Sequence, residues 1–216
     1  RPDRDVLPDP ASDDALAVPK VPQSMAIIGS GATGMEMACV YLHLGCKVTI
    51  LEMLEHALPR EDREAAEVVM RTFQKRGGRI ETGARVMRIE DHAGQKRVIY
   101  VREGQEQALE AEVVLLATGR RSNLAGLGAE EIGLQVDRLG LCVGEGVMRT
   151  GDEVPIPAMC PGTRLRTNLE HIYAVGDCIR GTGLAHLAMH EGAAAVEDSQ
   201  GLPAHINYLA VPTAMY

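Results

Sequence analysis

The segment Met25–Glu52 constrains the fold more than any other part of the chain. A short apolar run, Met25–Gly29, leads into Gly29-Ser30-Gly31-Ala32-Thr33-Gly34, a G-x-G-x-x-G. Ala32–Leu44 then carries Met35, Ala38 and Leu42 at helical spacing, and Gly45 ends that helix. Lys47–Glu52 alternates as a second strand. Strand, glycine turn, helix and strand in this order predict a parallel βαβ unit. In such a unit the first glycine allows the tight turn, the second lets backbone approach a pyrophosphate, and the third lets the helix close on the strand.

The predicted helix N-terminus offers N–H groups and partial positive charge to phosphates. Glu52 lies 18 residues after Gly34, where an acid accepts hydrogen bonds from a ribose 2′-hydroxyl and repels a 2′-phosphate. The turn Gly29, Ser30, Gly31, Ala32, Thr33, Gly34 and Met35, with Glu52, is therefore expected to bind a dinucleotide. NAD is expected rather than NADP, because no arginine directly follows Glu52. The other reading is that the glycines serve only the fold. Glu36, two positions past Gly34, is a further candidate; on chemistry alone it serves equally well as an acid complementing the helix dipole.

Downstream, a helix is expected from Pro59 to Arg76, with Glu61, Asp62 and Glu64 in its first turn and Gly77-Gly78 after its end. Its core face would be Ala66, Val69, Met70 and Phe73. Arg79–Glu81 is a third strand. The period then changes: Arg85–Glu90, Arg97–Arg102 and Gln107–Glu110 read as an antiparallel meander with turns at His92-Ala93-Gly94 and Glu103-Gly104. Val113–Ala117 is a continuous apolar run, the pattern of a strand buried on both faces. Gly119–Gly146 is glycine-rich, Gly151–Gly162 is a proline-containing loop, and Ala185–Ser199 is a helix. Residues 1–22, rich in proline and aspartate, read as a linker.

Composition excludes some functions. A net charge of −8 across 216 residues offers no basic stripe for a nucleic acid, and 3% aromatic residues with no tryptophan give no base-stacking platform. Uninterrupted apolar runs such as Val113–Ala117 are too short to span a bilayer, and Arg1-Pro2-Asp3-Arg4 does not open a signal peptide. Cys39, Cys46, Cys142, Cys160 and Cys178 are scattered without a C-x-x-C, which favours reduced thiols and a cytoplasmic setting. Cys39 and Cys46 would lie about 10 Å apart on a helix, too far for a disulfide. His186 and His190 are four apart, but no third ligand is evident and no metal site is expected; His171 and His205 read as surface or packing residues.

These residues resemble the pyridine nucleotide–disulfide oxidoreductase family, over about Val21–Tyr216. VPQSMAIIGSGATGMEMA is similar to the family's nicotinamide fingerprint, which would place Glu36 beside the nicotinamide and near the flavin. LLATGRRSN (Leu115–Asn123) resembles an A-T-G-R-x-x-N segment whose Gly119 approaches NAD. Val86 matches a position whose backbone meets the adenine. RTNLEHIYAVGDC resembles the second flavin motif, with Asp177 bonded to the ribityl hydroxyls of FAD. GLAHLAMHEG is similar to the turn and helix that pack on the flavin ring, through Gly183, Leu184, Ala185 and His186. Leu184-Ala185-His186 favours the dihydrolipoamide dehydrogenase subgroup, and INYLAVPTAMY looks like the opening of the dimerisation domain.

The resemblance implies an α/β fold: a Rossmann-like NAD-binding domain with an antiparallel β-meander over residues 23–118. The C-terminal part of a split FAD-binding domain would follow over 119–205, and the start of a dimerisation domain over 206–216. It also implies a parent flavoprotein that passes hydride between FAD and NAD, is a homodimer and belongs to a 2-oxoacid dehydrogenase complex. The family's first G-x-G-x-x-G, its C-x-x-x-x-C redox disulfide and its His–Glu base are not found in these residues. The first residue is not methionine, which fits a fragment or a processed chain; without those motifs, a fragment that is inactive by itself and contributes no catalytic residue is expected. Residues 151–165 are longer than the family's usual connection. A non-catalytic NAD-binding module, or another family member such as a mercuric reductase or an NADH oxidase, is the alternative reading.

Overall fold

Apolar runs whose side chains alternate between two buried faces build the centre of the fold. The computed structural model describes residues 15–137, 140–144, 165–179 and 183–215. They form two units, one reaching to Gly119 and including Met215, the other spanning Arg120–Ala214. The loop expected over Gly151–Gly162, the added length at 151–164, Cys160 and the first part of the expected linker lie outside the described residues.

In the first unit β1 (Ser24–Ile28), α1 (Ala32–His43), β2 (Lys47–Leu51), α2 (Arg63–Lys75) and β3 (Arg79–Glu81) follow one another. The meander β4 (Arg85–His92), β5 (Gln95–Arg102) and β6 (Gln105–Ala111) comes next, and β7 (Val113–Leu116) closes the unit. The parallel sheet has the order β3-β2-β1-β7, with Ile27 opposite Ile50 on one side and Leu115 on the other. Met25 and Ile27 pack with Met35, Ala38 and Phe73 of the two helices. Ala26 and Ile28 pack with Val98 and Tyr100 of the meander. One sheet thus carries helices on one face and strands on the other, each fully buried large side chain contributing about 1.5–3 kcal/mol.

Several boundaries differ from the sequence expectation, each for a local reason. The helix expected from Pro59 begins at Arg63, because the Asp62 side chain accepts from Glu64 N–H at 3.0 Å and Ala65 N–H at 3.1 Å and so caps it. Ala66 and Phe73 of the expected face are buried, while Val69 and Met70 are only half-buried. The helix expected to Leu44 ends at His43, with Leu44 as its cap. Its buried stripe includes Tyr41, whose hydroxyl donates to the Ala15 carbonyl at 2.6 Å. Ala15 is itself buried, so this part of the expected linker packs on the first unit. The meander strands run longer than expected and turn through Ala93-Gly94 and Glu103-Gly104, all four residues left-handed. That turn twist matches the flanking strands.

In the second unit β8 (Val136–Asp137) and β9 (Gly140–Leu141) pair antiparallel, and α3 (Ala185–Ser199) is the main helix. Leu134, Leu141, Leu165, Ala174, Ile179, Ala194 and Ala195 form its core. Arg166 Nε donates to Asp198 at 2.5 Å and the Tyr173 hydroxyl donates to the same oxygen at 2.7 Å, tying the R-T-N segment to α3. Among the described residues no helix is long and apolar enough to cross a membrane, and no group of His, Cys, Asp and Glu is placed to hold a metal ion.

Candidate functional site

The glycine turn sits at the carboxyl end of β1, between β2 and β7, where open α/β sheets form their ligand crevice. Its three glycines have different reasons to be glycine. Gly29 has φ +101°, and a Cβ there would meet the Ala117 carbonyl oxygen at 2.5 Å. Gly34 is pressed against the carbonyl of Gly29, with no room for a side chain. Gly31 has an ordinary φ of −65°, and nothing in the protein lies within 4 Å of where its Cβ would be. Nothing in the folded chain requires glycine at Gly31. Gly31 is also the cap residue of α1, which has no side-chain cap and no acid in its first turn, so the terminal N–H groups are left for an anion.

Glu52 lies one residue beyond β2 rather than ending it, because its N–H pairs with the Glu81 carbonyl at 2.9 Å. Glu52 is 7% exposed, and its carboxylate accepts from Ser30 N–H at 2.8 Å, Ser30 Oγ–H at 2.6 Å and Leu54 N–H at 2.9 Å. The fold therefore brings the glycine turn and the acid into direct contact. Val86 lies half-buried in β4 beside a bulge, and Ala84 N–H, two residues earlier, donates to the Glu52 carbonyl at 2.8 Å. Ala117 N–H donates to the Ile28 carbonyl at 2.8 Å, which brings the segment leading to exposed Gly119 beside the turn. Ala32 and Thr33 are exposed, whereas Met35 is buried and its N–H donates to the Gly31 carbonyl at 3.0 Å. Glu36 is half-buried in the second turn of α1, too far along for the dipole role its sequence position also allowed.

In the second unit Asp177 occupies a 3₁₀ turn, Gly176–Cys178. Its exposed carboxylate accepts from Arg120 Nη1 at 3.0 Å, and its carbonyl accepts from Ser122 Oγ at 3.0 Å. Gly183 stands beside it: a Cβ there would lie 3.8 Å from the Asp177 carboxylate. Leu184 is the extended cap of α3, with no side-chain hydrogen bond to the first turn, and Ala185 and His186 are exposed. His186 Nε2 lies 2.9 Å from the Pro212 carbonyl, so that nitrogen carries a hydrogen.

Behind this turn stands Glu191, which is 2% exposed. It accepts from Gly176 N–H at 2.7 Å and from the Tyr208 hydroxyl at 3.2 Å. Burial pushes its carboxyl above the usual carboxylate range, against the lowering effect of those two donors. Burial and the facing Glu191 also push the Tyr208 hydroxyl up. Sequence reasoning assigned no particular role to Ser30 beyond the turn, and none to Arg120, Glu191 or Tyr208. The available signal for Glu191 was an acid on an otherwise apolar helix face. Cys39, Cys46, Cys142 and Cys178 are all free. Burial pushes the Cys46 thiol up to about 11 and raises those of Cys39 and Cys142, so these three are not thiolate nucleophiles near neutral pH.

Residues 3–156 match the family described as pyridine nucleotide-disulphide oxidoreductase. The chain is 33% identical to a dihydrolipoyl dehydrogenase of Bacillus subtilis over 207 residues, covering 95% of this chain and 40% of that protein. It is 31% identical over 205 residues to a dihydrolipoyl dehydrogenase of Geobacillus stearothermophilus, with the same coverage, 95% and 40%. Among solved structures it resembles the HOCl-induced flavoprotein disulfide reductase RclA of Escherichia coli. That likeness has a TM-score of 0.75 and 27% identity, covering 92% of this chain and 41% of that one. The chain thus spans about two fifths of the length of these relatives.

Proposed function

The chain belongs to the pyridine nucleotide-disulphide oxidoreductase family, and from that premise we propose that its first unit binds NAD and its second carries part of a flavin site. The whole would be a dihydrolipoamide dehydrogenase-like oxidoreductase in which these residues hold and orient the cofactors. The domain reading is NAD-binding over 23–118, flavin-binding over 119–205 and the opening of a dimerisation domain from 206.

The observation that carries the reading is Gly31: a glycine with unstrained backbone and empty space over it, at the uncapped end of α1. Its place is that of a pyrophosphate cradle. The N–H groups of the first turn of α1 would bind the phosphates, and Glu52 would accept a ribose hydroxyl. Val86 and Gly119 would contribute backbone contacts, and Glu36 would stand at the nicotinamide end. In the second unit Asp177 would exchange Arg120 for ribityl hydroxyls, with Gly183, Leu184, Ala185 and His186 lining the ring side. When bound, the nicotinamide and the flavin supply the redox chemistry; the chain supplies positioning and charge. The parent is taken to be a cytoplasmic homodimer, with membership of a 2-oxoacid dehydrogenase complex following from the subgroup.

Calorimetric titration of NADH into the chain tests the reading, with Gly31→Val as the paired variant. Binding by the wild type is expected, together with its loss in a variant whose far-UV circular dichroism is unchanged. Normal binding by Gly31→Val, or none by the wild type, would sink it. A second reading, an NAD-binding module without turnover of its own, is favoured by the raised thiols and by the free state of the four described cysteines.

A further inference from the structure

Three hydrogen bonds hold the Glu52 carboxylate. Ser30 grips Oε2 twice, through its N–H and its hydroxyl, and Leu54 N–H takes Oε1. Ser30 is 0% exposed. The same segments are joined again where Gly29 N–H donates to the Leu51 carbonyl at 2.9 Å and Leu58 N–H donates to the Ser30 carbonyl at 3.0 Å. Leu58 is buried at φ +54°, a conformation disfavoured for a bulky residue that persists only where its surroundings over-determine it. Glycine turn and the loop from Glu52 to Leu58 therefore form one stitched frame around the carboxylate.

We infer that Ser30 is the positioning residue that sets the preference for NAD over NADP, by fixing the Glu52 carboxylate where the ribose 2′ substituent arrives. This rests on the NAD reading of the first unit. An ionised carboxylate has about four acceptor sites, and three are already taken here, so the remaining direction is restricted. A ribose hydroxyl can donate into it. A 2′-phosphate brings negative charge with mostly acceptor oxygens and fits only if Glu52 swings away. That swing breaks both bonds to Ser30. With the hydroxyl deleted, one bond on Oε2 remains and the swing becomes easier. Ser30 thus acts through Glu52 and discriminates by making the acid immobile.

The test is calorimetric titration of NADH and of NADPH into the whole chain as wild type, Ser30→Ala, Glu52→Gln and the double variant, with circular dichroism as the folding control. The wild type is expected to prefer NADH by at least about 10-fold. Ser30→Ala should narrow that preference roughly 3- to 10-fold, and Glu52→Gln at least as far. In the Glu52→Gln background Ser30→Ala should change the preference no further, as for residues that act through one interaction. A full preference retained in folded Ser30→Ala, or additive losses in the double variant, overturns the inference while leaving NAD binding standing. A wild type that binds neither dinucleotide overturns the NAD reading and the inference together. Should Ser30→Ala not fold, Ser30→Thr is expected to keep the preference and Ser30→Gly to narrow it; equal preference in those two overturns the inference.

Discussion

Glu191 reaches from α3 to the N–H of Gly176 at 2.7 Å, so that a buried carboxylate anchors the turn that presents Asp177 to solvent. Tyr208 donates to its other oxygen, and Asp177 is the further charge that acts on it. The arrangement places an acid in a core in order to satisfy a backbone donor.

A pH dependence follows. Burial raises the Glu191 carboxyl above its ordinary value of 4.5. Between that value and the raised one the folded chain holds more proton than the unfolded chain, so stability falls as pH rises through this window. Urea titrations at a series of pH values, followed by tyrosine fluorescence, should show this fall in the wild type and its loss in Glu191→Gln. Parallel pH profiles for the two would refute the assignment. Glu191→Ala, which strands the Gly176 N–H, should cost about 1–3 kcal/mol.

The glycines of the turn should separate by effect. Gly34→Ala drives a methyl into the Gly29 carbonyl and should destabilise the first unit by about 1–3 kcal/mol, as overpacking does. Gly31→Ala meets no protein atom and should leave the thermal midpoint within a degree or two of wild type, since an unstrained surface change lies within about 0.5 kcal/mol. Equal midpoints for the two variants would show that the turn relaxes freely.

Asp62→Ala removes the side chain that caps α2. A loss of about 0.5–2 kcal/mol is expected in denaturant unfolding. Asp62→Asn and Asp62→Ser should recover most of it, since both retain a capping oxygen. A loss as large in Asp62→Asn as in Asp62→Ala would argue against the cap.

Purified as these 216 residues, the protein is expected to be colourless and without NAD-dependent oxidation of dihydrolipoamide. On the proposed reading Asp177 and the Gly183–His186 turn would address one half of a flavin, and the sequence holds a single G-x-G-x-x-G. The pyrophosphate of FAD would need another helix N-terminus of that kind. An absorption spectrum showing stoichiometric FAD, or turnover above buffer, would reverse this expectation.

Local order was legible wherever one period dominated. The apolar run within Ser24–Ile28, the continuous run of β7 and the glycine turn between strand and helix are all visible, because burial on both faces of a sheet leaves an apolar record in the chain. The start of α2 was misplaced because proline and acids suit a first helical turn as well as the segment before it. Only the Asp62 side chain bonding to two N–H groups decides between them. The ribbon of β8 and β9, two residues to a strand, is too short to leave any period.

The candidate site divides the same way. The glycine turn and Glu52 stood out as candidates from the sequence alone, since spacing along one βαβ unit carries both. Packing in three dimensions leaves Gly31 facing open space and wedges Gly34 against Gly29, and it brings Ser30 onto Glu52. It also sets Glu191 where it supports the Asp177 turn from within the core. Those relationships join residues 15 to 22 positions apart or depend on free volume, and neither a long-range contact nor an empty space is written in local sequence.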